Sequence, residues 1–314
     1  MRKPRIAING FGRIGRAVTR IAKQQGHFDI VAINDLASPA QLAHAFRYDS
    51  VHGVYDGEVE LEKVQDQETI IVDGDPFKVL REPDPARLPW HQLGIDYVVE
   101  STGRFRKRSK LQMHLDAGAQ RVLLSVPPKD KLDATLVLGV NDHVLKQSSS
   151  IISNASCTTN CAAPVAKVLH QQFGIKRGFL TTVHAYTADQ RLVDTPHRDA
   201  RRSRSAALNI VPTTTGAARA IGDVLPELAG KVDGRAVRVP VPDGSLIDFT
   251  LELARNVEVD EVNAAMQLAA SGPFKGILQY CTDPVVSSDI IGNPHSSIFD
   301  AELTQVIDGN FIKV

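Results

Sequence analysis

The glycine-rich segment Gly10–Gly15 is the feature that most restricts how this chain folds. An apolar, strand-like run over residues 4–9 precedes it, and residues 16–25 behind it have helical spacing. A second strand-like run covers residues 28–33, and Asp35 follows at its end, about 20 residues past the last glycine. A G-x-G-x-x-G pattern in this strand–helix–strand setting predicts a βαβ unit whose glycine turn admits a pyrophosphate to the N-terminus of the helix.

The acid at the end of the second strand indicates which dinucleotide the turn admits. Its carboxylate can accept hydrogen bonds from the adenosine ribose hydroxyls, and its charge repels a 2′-phosphate. The pattern therefore predicts NAD rather than NADP as the cofactor. The alternative for the glycines is an ordinary turn between a strand and a helix, which the complete strand–helix–strand context disfavours.

The rest of the chain divides by its hydrophobic pattern into two parts. Up to residue 140, strand-like runs alternate with helical ones, which predicts a doubly wound, mainly parallel α/β sheet. The strand-like runs here are 70–72, 97–99, 121–124 and 134–138, and the helical ones are 41–45 and 110–117. Longer strand-like runs follow at 180–184, 237–241 and 246–253, with helical runs at 162–171, 216–225 and 259–270. This second part predicts an α+β domain with a mixed sheet and helices on one face.

Length and composition agree with two domains. A chain of 314 residues, 43% of them hydrophobic, can bury two cores. We expect residues 1–156 to form a Rossmann-type nucleotide-binding domain and residues 157–314 a catalytic domain. The formal net charge of +0 gives no reason to expect nucleic acid or an anionic membrane as a partner. Three cysteines without a C-x-x-C pair, no signal peptide and no membrane-length apolar run predict a cytoplasmic protein.

Residues 153–161 carry the strongest chemical signal. Cys157 stands there among small hydroxyl and amide side chains, directly before the helical run 162–171. A thiol at a helix N-terminus faces unpaired backbone N–H groups and the positive end of the helix dipole, so the position predicts a lowered thiol pKa and a nucleophile. The alternative is an inert, buried cysteine beside a Ser/Thr-rich helix cap. Cys161, one helical turn further on, is predicted to be a packing residue.

Several segments of the chain resemble those of phosphorylating glyceraldehyde-3-phosphate dehydrogenases of bacterial type. They follow the order of that family and cover essentially the whole chain, and the segment around Cys157 is highly specific to the family and its nearest relatives. The matching segments are Asn9–Arg16, Ala32–Asp35, Tyr48–Gly53, Ser101–Gly103, Ser153–Cys161, His184–Thr187, Arg201–Arg202, Thr214–Ala218 and Arg238–Pro240.

The resemblance implies a reaction, the oxidation of D-glyceraldehyde 3-phosphate with NAD and inorganic phosphate to 1,3-bisphosphoglycerate, a step of glycolysis and gluconeogenesis. Cys157 would attack the aldehyde, and His184 would hold the thiolate and accept the proton as hydride leaves. Inorganic phosphate would then attack the resulting thioester. Without the resemblance, His184 in a strand-like run would be read as a core histidine, because ten histidines are present.

The resemblance also assigns binding sites. The implied cofactor contacts are Gly10, Phe11, Gly12, Arg13, Ile14, Gly15, Asp35, Ser101, Thr102 and Ser125. The implied contacts to the substrate phosphate are Thr187 and Arg238, and those to the attacking phosphate are Ser156, Thr158, Arg202, Thr215 and Gly216. No metal is implied, and the implied assembly is a homotetramer in which segment 189–212 lies against a neighbouring subunit. On residue type alone, the arginine pair would be solvated surface and residues 213–216 an ordinary helix cap.

Three departures from the family pattern set further expectations. The sequence stops at residues 311–314, before the additional strand, the nicotinamide-binding asparagine and the C-terminal helix that the family carries. Pro83 stands where many relatives have an arginine near the adenine, which puts that contact in question. Ala188 stands where asparagine or glycine is commoner, and we expect this exchange to be tolerated.

Three alternatives to this function stay open at the level of sequence. Erythrose-4-phosphate dehydrogenase shares the glycine and cysteine segments but usually lacks the pattern of residues 184–187. An NADP-linked form of the enzyme is disfavoured by Asp35 and by Pro196. A non-catalytic NAD-binding protein is the alternative of another class, and a missing C-terminal segment would favour it.

Overall fold

The computed structural model describes residues 2–64 and 67–314 and divides the chain into two compact units. The first unit runs up to Leu136 and also contains His143–Ala155, while the second comprises Val137–Asp142 and Ser156–Val314. The hydrophobic pattern places the boundary between residues 156 and 157 and gives no sign that Val137–Asp142 belongs to the second unit. This segment is held there because Lys167 Nζ donates to the carbonyl oxygens of Gly139 at 2.9 Å and Val140 at 2.8 Å.

The first unit is an α/β layer structure. Its elements are β1 Arg5–Asn9, α1 Arg13–Gln25, β2 Asp29–Asn34, α2 Pro39–Arg47, β3 Tyr48–Asp49, β4 Gly53–Val54, β5 Val59–Val64, β6 Gln67–Val72, β7 Asp75–Leu80, β8 Tyr97–Glu100, α3 Arg108–Asp116, β9 Arg121–Leu124, β10 Ala134–Thr135 and β11 Ile151–Ser153. The main sheet has the strand order β10–β11–β9–β8–β1–β2–β7–β6–β5. All neighbours from β10 to β7 pair in parallel, which confirms the predicted doubly wound sheet.

The central strand β1 shows why this sheet needs helices on both sides. Ile6 and Ile8 lie in one buried apolar cluster, and Ala7 between them lies in another with Trp90 and Val98. Since successive side chains of a strand point to opposite faces, both faces of the sheet are buried. A near-continuous apolar run such as residues 6–8 is the sequence form of such a strand.

Two regions of the first unit differ from the predicted elements. Only residues 70–72 are predicted as strand in the region where β5, β6 and β7 form an antiparallel extension of the sheet. The strand β5 escapes prediction because it has no apolar run: Val59 is buried, but residues 60–63, which belong to both faces and include Leu61, are exposed. The predicted strand 134–138 was too long, because only Ala134–Thr135 forms the ladder before the chain passes to the second unit at Val137.

The second unit is built on a mixed sheet, as predicted. Its elements are α4 Cys157–Phe173, β12 Ile175–Ala185, β13 Val211–Thr213, α5 Ala217–Val224, β14 Val232–Val239, β15 Leu246–Leu253, α6 Val259–Ser271, β16 Leu278–Cys281, β17 Ser297–Asp300, β18 Gln305–Ile307 and β19 Phe311–Lys313. The sheet order is β13–β14–β12–β15–β19–β18, in which β12 and β14 are parallel and the other neighbours whose pairing is described are antiparallel. The strands β16 and β17 form a separate parallel pair.

The long strand β12 organises the second unit, because it pairs with β14 on one side and with β15 on the other. Near its carboxyl end, His184 lies directly opposite Arg238 of β14. The helix α4 packs against β12 and against α5 and α6. Among the described helices, none combines the length and the apolar content that crossing a membrane requires.

Candidate active site

Cys157 is the first residue of α4, at a helix start that begins earlier than predicted. Ala155 has a φ of +56°, in the left-handed region, and turns the chain sharply out of β11. Ser156 then caps the helix, its hydroxyl accepting the backbone N–H of Thr159 at 3.0 Å. The expected helical run began at residue 162 because the Ser/Thr-rich stretch before it has low helix propensity; the cap allows the helix to include that stretch.

The thiol of Cys157 lies next to an imidazole. Its Sγ is 3.3 Å from His184 Nε2, and the cysteine is exposed to solvent. Partial desolvation of the sulfur would raise the thiol pKa, but the hydrogen bond and charge of His184, together with bonds from Thr158, lower the pKa below its ordinary value. Burial instead raises the pKa of Cys161. The surroundings of the two cysteines therefore shift their thiol pKa values in opposite directions.

The other ring nitrogen of His184 has two competing partners. Its Nδ1 is 2.7 Å from the carbonyl oxygen of Ala185 and 2.7 Å from Arg238 Nη1, which also donates to that carbonyl at 2.8 Å. A ring nitrogen that donates to a carbonyl cannot accept from a guanidinium at the same time. The position of Arg238 therefore influences which nitrogen of His184 carries the proton.

Arg238 is a half-buried cation suited to an anionic ligand. Burial lowers its pKa, the charge of Arg202 lowers it further, and Cys157 and Asp189 act in the opposite direction. Within the described part of the chain, its buried Nε has no hydrogen-bond partner. An arginine with a free donor and a neighbouring arginine provides the donor geometry and charge that phosphate binding uses.

Arg202 is held by acidic and hydroxyl groups of the same unit. It forms a close ion pair with Asp189, and its Nε donates to Thr213 Oγ1 at 3.0 Å. Its Nη2 donates to the carbonyl oxygen of Thr214 at 3.4 Å. The sequence does not identify Asp189 as a site residue. It lies twelve residues before the arginine pair, and this spacing indicates an ion pair only once the loop between them is known to fold back.

The remaining residues predicted to bind phosphate occupy two helix starts and one loop. Thr158 contacts Cys157 through its backbone N–H and its hydroxyl. Thr215 accepts the N–H of Ala217 at 3.2 Å, and Gly216 is the N-cap of α5, where an added Cβ would meet no atom within 4 Å. Thr187 lies two residues past the end of β12. The helix α4, which begins at Cys157, packs against α5, and both helices belong to the second unit.

The glycine segment of the first unit presents open backbone. Gly10 has a φ of +92°, which favours glycine, and Gly12 is the N-cap of α1 with no side chain to cover the first-turn N–H groups. An added Cβ at Gly12 would meet nothing within 4 Å. Arg13 and Ile14 form the exposed first turn, whereas Phe11 and Gly15 are buried. This cradle fits the pyrophosphate of a dinucleotide.

Two polar groups beside the glycine segment also fit a nucleotide. Asp35 accepts the N–H of Phe11 at 2.8 Å and that of Ala37 at 3.1 Å, which leaves a lone pair on each carboxylate oxygen for ribose hydroxyls. Ser125 directly follows β9, and its buried hydroxyl has no hydrogen-bond partner among the described residues. A buried hydroxyl without a partner is costly unless a ligand supplies one.

Comparisons with known proteins agree with this geometry. The model of the glyceraldehyde 3-phosphate dehydrogenase NAD binding domain matches residues 4–108, and that of the C-terminal domain matches residues 156–314. The glyceraldehyde-3-phosphate dehydrogenase of Mycolicibacterium smegmatis is 55% identical over 311 residues, covering 97% of this chain and 90% of the relative. Those of Borreliella burgdorferi and Geobacillus stearothermophilus are 54% and 52% identical, covering 99% of this chain in each case and 93% and 91% of the relatives. The chain belongs to the glyceraldehyde-3-phosphate dehydrogenase family.

Proposed function

We propose that Cys157 and His184 carry out the NAD- and phosphate-dependent oxidation of D-glyceraldehyde 3-phosphate to 1,3-bisphosphoglycerate. The observation that carries this assignment is the 3.3 Å contact between Sγ and Nε2 at the first residue of α4. It joins a thiol whose pKa is lowered to a base that can accept a proton from the same reacting centre. Family membership supports the substrate and the cofactor.

The covalent steps follow from these two side chains. His184 Nε2 takes the proton of the Cys157 thiol, and the thiolate adds to the aldehyde carbon as the carbonyl π bond opens. The alkoxide that results recovers this proton from His184, and Nε2 accepts it again when the adduct is oxidised. NAD, when bound, supplies the hydride acceptor for the oxidation of this adduct to a thioester. A phosphate oxygen then attacks the thioester carbon, the carbon–sulfur bond breaks, and the sulfur returns as the thiolate. The backbone N–H of Cys157 is the candidate donor to the oxyanion.

The two phosphate groups are assigned to separate sets of residues. We assign Arg238 and Thr187 to the phosphate of the substrate, supported by the free Nε and the half-buried charge of Arg238. We assign the attacking phosphate to Ser156, Thr158, Arg202, Thr215 and Gly216, supported by the open N-terminus of α5. Because Arg202 is paired with Asp189, we expect the ion pair to orient its guanidinium rather than to neutralise the site.

NAD is assigned to the glycine segment of the first unit. Gly10, Phe11, Gly12, Arg13, Ile14 and Gly15 would hold the pyrophosphate, and Asp35 the adenosine ribose. Ser101, Thr102 and Ser125 would line the same edge of the sheet, where β8 and β9 end. The charge of Asp35 supports NAD over NADP. The relatives that match this chain give no support to an erythrose-4-phosphate dehydrogenase, an NADP-linked form or a non-catalytic protein.

We further assign a homotetramer in the cytoplasm. Segment 189–212 exposes several apolar side chains, with Leu192 at 75% and Leu208 at 82% exposure, and Phe179 of β12 is exposed as well. Burial against other copies of the chain would remove this apolar surface from water. Light scattering behind size-exclusion chromatography tests the assembly, and a stable, active monomer would contradict it. The compartment is supported by three free cysteines, which fit a reducing environment.

The reaction is tested by following NADH formation from glyceraldehyde 3-phosphate. We expect turnover that needs inorganic phosphate, and a single burst of NADH without phosphate as the thioester accumulates. Erythrose 4-phosphate in place of the substrate tests the first alternative, and NADP in place of NAD tests the second. Absence of turnover with glyceraldehyde 3-phosphate, NAD and phosphate from a folded protein would overturn the proposed function.

A further inference from the structure

A row of buried polar side chains crosses the carboxyl edge of the first-unit sheet. Asn34, Asn9 and Glu100 are the last residues of β2, β1 and β8, and they lie side by side in the parallel register. Asn34 Nδ2 donates to Asn9 Oδ1 at 2.7 Å, and Asn9 Nδ2 donates to Glu100 Oε2 at 2.5 Å. His114 Nε2 lies 3.2 Å from the same carboxylate oxygen, and Trp90 Nε1 donates to His114 Nδ1 at 3.0 Å. We call these five residues the polar row.

The direction of the hydrogen bonds in the polar row defines its charge. The indole N–H of Trp90 can only donate, so His114 Nδ1 must accept, and the ring carries its proton on Nε2 as a neutral imidazole. That N–H and the amide of Asn9 donate to Glu100 Oε2, while the backbone N–H and the hydroxyl of Thr102 donate to Oε1. These four donors match the four lone-pair positions of a carboxylate group.

No lysine or arginine within residues 2–64 and 67–314 forms an ion pair with this buried carboxyl group. Glu100 and His114 have no exposed side-chain surface, and among the described hydrogen-bond partners of Glu100 none carries a positive charge. Burying a charge in this way is unfavourable even when hydrogen bonds compensate part of the lost hydration. Uncharged side chains could fill this part of the core without the cost of burying a charge. We therefore expect the carboxylate to have a role besides packing.

The backbone beside Glu100 shows what the carboxylate holds. A Cβ added at Gly10 would lie 2.7 Å from the backbone nitrogen of Thr102 and 2.8 Å from its Cα, so the two backbones are in direct contact. Ser101 Oγ donates to the carbonyl oxygen of Gly10 at 2.7 Å. The glycine turn therefore rests on residues 101–102, and their position is set by the two bonds from Thr102 to Glu100.

We propose that Glu100 is a positioning residue for NAD, because its carboxylate ties together the ends of the three strands from which the dinucleotide-binding loops begin. The proposal rests on the dinucleotide site assigned above. Gly10–Gly15 follows Asn9, Asp35 follows Asn34, and Ser101–Thr102 follows Glu100. Asn34 extends the row by one step, since it accepts the N–H of Glu82 at 2.9 Å and donates to its carbonyl oxygen at 2.9 Å. The carboxylate of Glu100 thus fixes the positions of these three loops relative to one another without contacting the cofactor.

The test replaces the carboxylate by an amide of the same shape. In Glu100→Gln, the new NH2 group faces either the two donors of Thr102 or those of Asn9 and His114, so one pair loses its acceptor. We expect the Kd for NAD, measured by titration calorimetry, to rise by about tenfold or more. The emission of Trp90, the single tryptophan of the chain, should shift because its partner His114 is reoriented. Alkylation of Cys157 by iodoacetamide without NAD should keep its wild-type rate.

The controls separate a positioning role from a structural one. Glu60→Gln makes the same chemical change on the exposed face of β5 and should alter neither the Kd nor the emission. If Glu100→Gln does not fold, Asn9→Leu removes one of the four donors at a residue outside the assigned NAD contacts, and its Kd for NAD should rise by a few fold. A folded Glu100→Gln protein that binds NAD with the wild-type Kd, or an Asn9→Leu protein that does so where the first variant is unfolded, would overturn the inference. A wild-type protein that does not bind NAD would instead contradict the dinucleotide site itself.

Discussion

The surroundings of Cys157 and those of Glu100 treat a negative charge in opposite ways. The Cys157 thiolate is exposed and is stabilised by a single imidazole and by Thr158 at a helix start. The Glu100 carboxylate is fully buried and accepts four hydrogen bonds. A nucleophile must keep a free lone pair and remain accessible, whereas a positioning group works best when every lone pair is used. Glu100 lies in the first unit and Cys157 in the second. A substitution at Glu100 can therefore be tested for its effect on alkylation of Cys157, and a substitution at Cys157 for its effect on NAD binding.

The largest expected effect comes from removing the nucleophile. Cys157→Ser should lower turnover by at least about 10³-fold, because a serine hydroxyl at this position remains protonated near neutral pH. The NAD affinity of the first unit should stay unchanged, which would sharpen the contrast between the regions. Steady-state NADH formation and NAD titration provide the two measurements. Cys281→Ser, at a buried cysteine of the same unit, is the control and should retain activity; a Cys157→Ser protein with wild-type turnover would contradict the assignment.

His184→Asn should slow hydride transfer by on the order of 10²–10⁴, because the base is lost. The pH profile of Cys157 alkylation gives a second measurement. Since the contact with His184 lowers the thiol pKa, wild-type alkylation should stay fast as the pH falls below the ordinary thiol pKa and decline only through the lowered value. Without His184 the midpoint should move to higher pH. An unchanged profile together with unchanged turnover would show that the imidazole has only a structural role.

Arg238→Ala should reduce kcat/KM for glyceraldehyde 3-phosphate by about 10- to 100-fold, the range expected for lost hydrogen bonds to a charged group. The loss should be much smaller with unphosphorylated glyceraldehyde, which has no phosphate to bind. Arg235→Ala, at an exposed arginine of the same strand, serves as the matched control. Equal losses on both substrates would mean that Arg238 acts through its contact with His184 and not through the substrate phosphate.

The smallest expected effect concerns the choice of dinucleotide. Asp35→Asn removes the charge and keeps an acceptor for only one of the N–H groups of Phe11 and Ala37, so both Kd values should rise while the preference for NAD over NADP narrows by about tenfold. The Kd values for both dinucleotides give this ratio, and the alkylation rate of Cys157 should not change. Asp29→Asn, at an exposed acid that begins β2, is the control. A wild-type protein that prefers NADP would refute the role of Asp35.

The parts of the fold that could be predicted are those with a periodic or a motif signal. The βαβ unit around Gly10–Gly15 is one, because buried strands and an amphipathic helix leave different apolar periods in the sequence. The pairing of Cys157 with His184 is another, but only through the family resemblance, since no spacing rule connects residues 27 positions apart. The structure then supplies the contact that the resemblance implies.

The parts that could not be predicted depend on tertiary contacts. Glu100 stands at the end of an apolar strand, and nothing in its neighbours along the chain indicates Asn9 or His114 as partners. Val137–Asp142 joins the second unit through Lys167, which a local pattern cannot reveal. The early start of α4 depends on a side-chain cap that overrides the low helix propensity of residues 157–160.

The turn at Ala155 restricts how the sequence can vary next to the nucleophile. Its left-handed backbone costs an alanine about 1–2 kcal/mol relative to the right-handed form, and only glycine avoids this cost. At 2% exposure there is also little room for a larger side chain. A larger L-residue here would therefore combine backbone strain with crowding immediately before the cap of α4. Glycine alone relieves the strain without adding volume, so a residue that touches no ligand still limits where the thiol of Cys157 can lie.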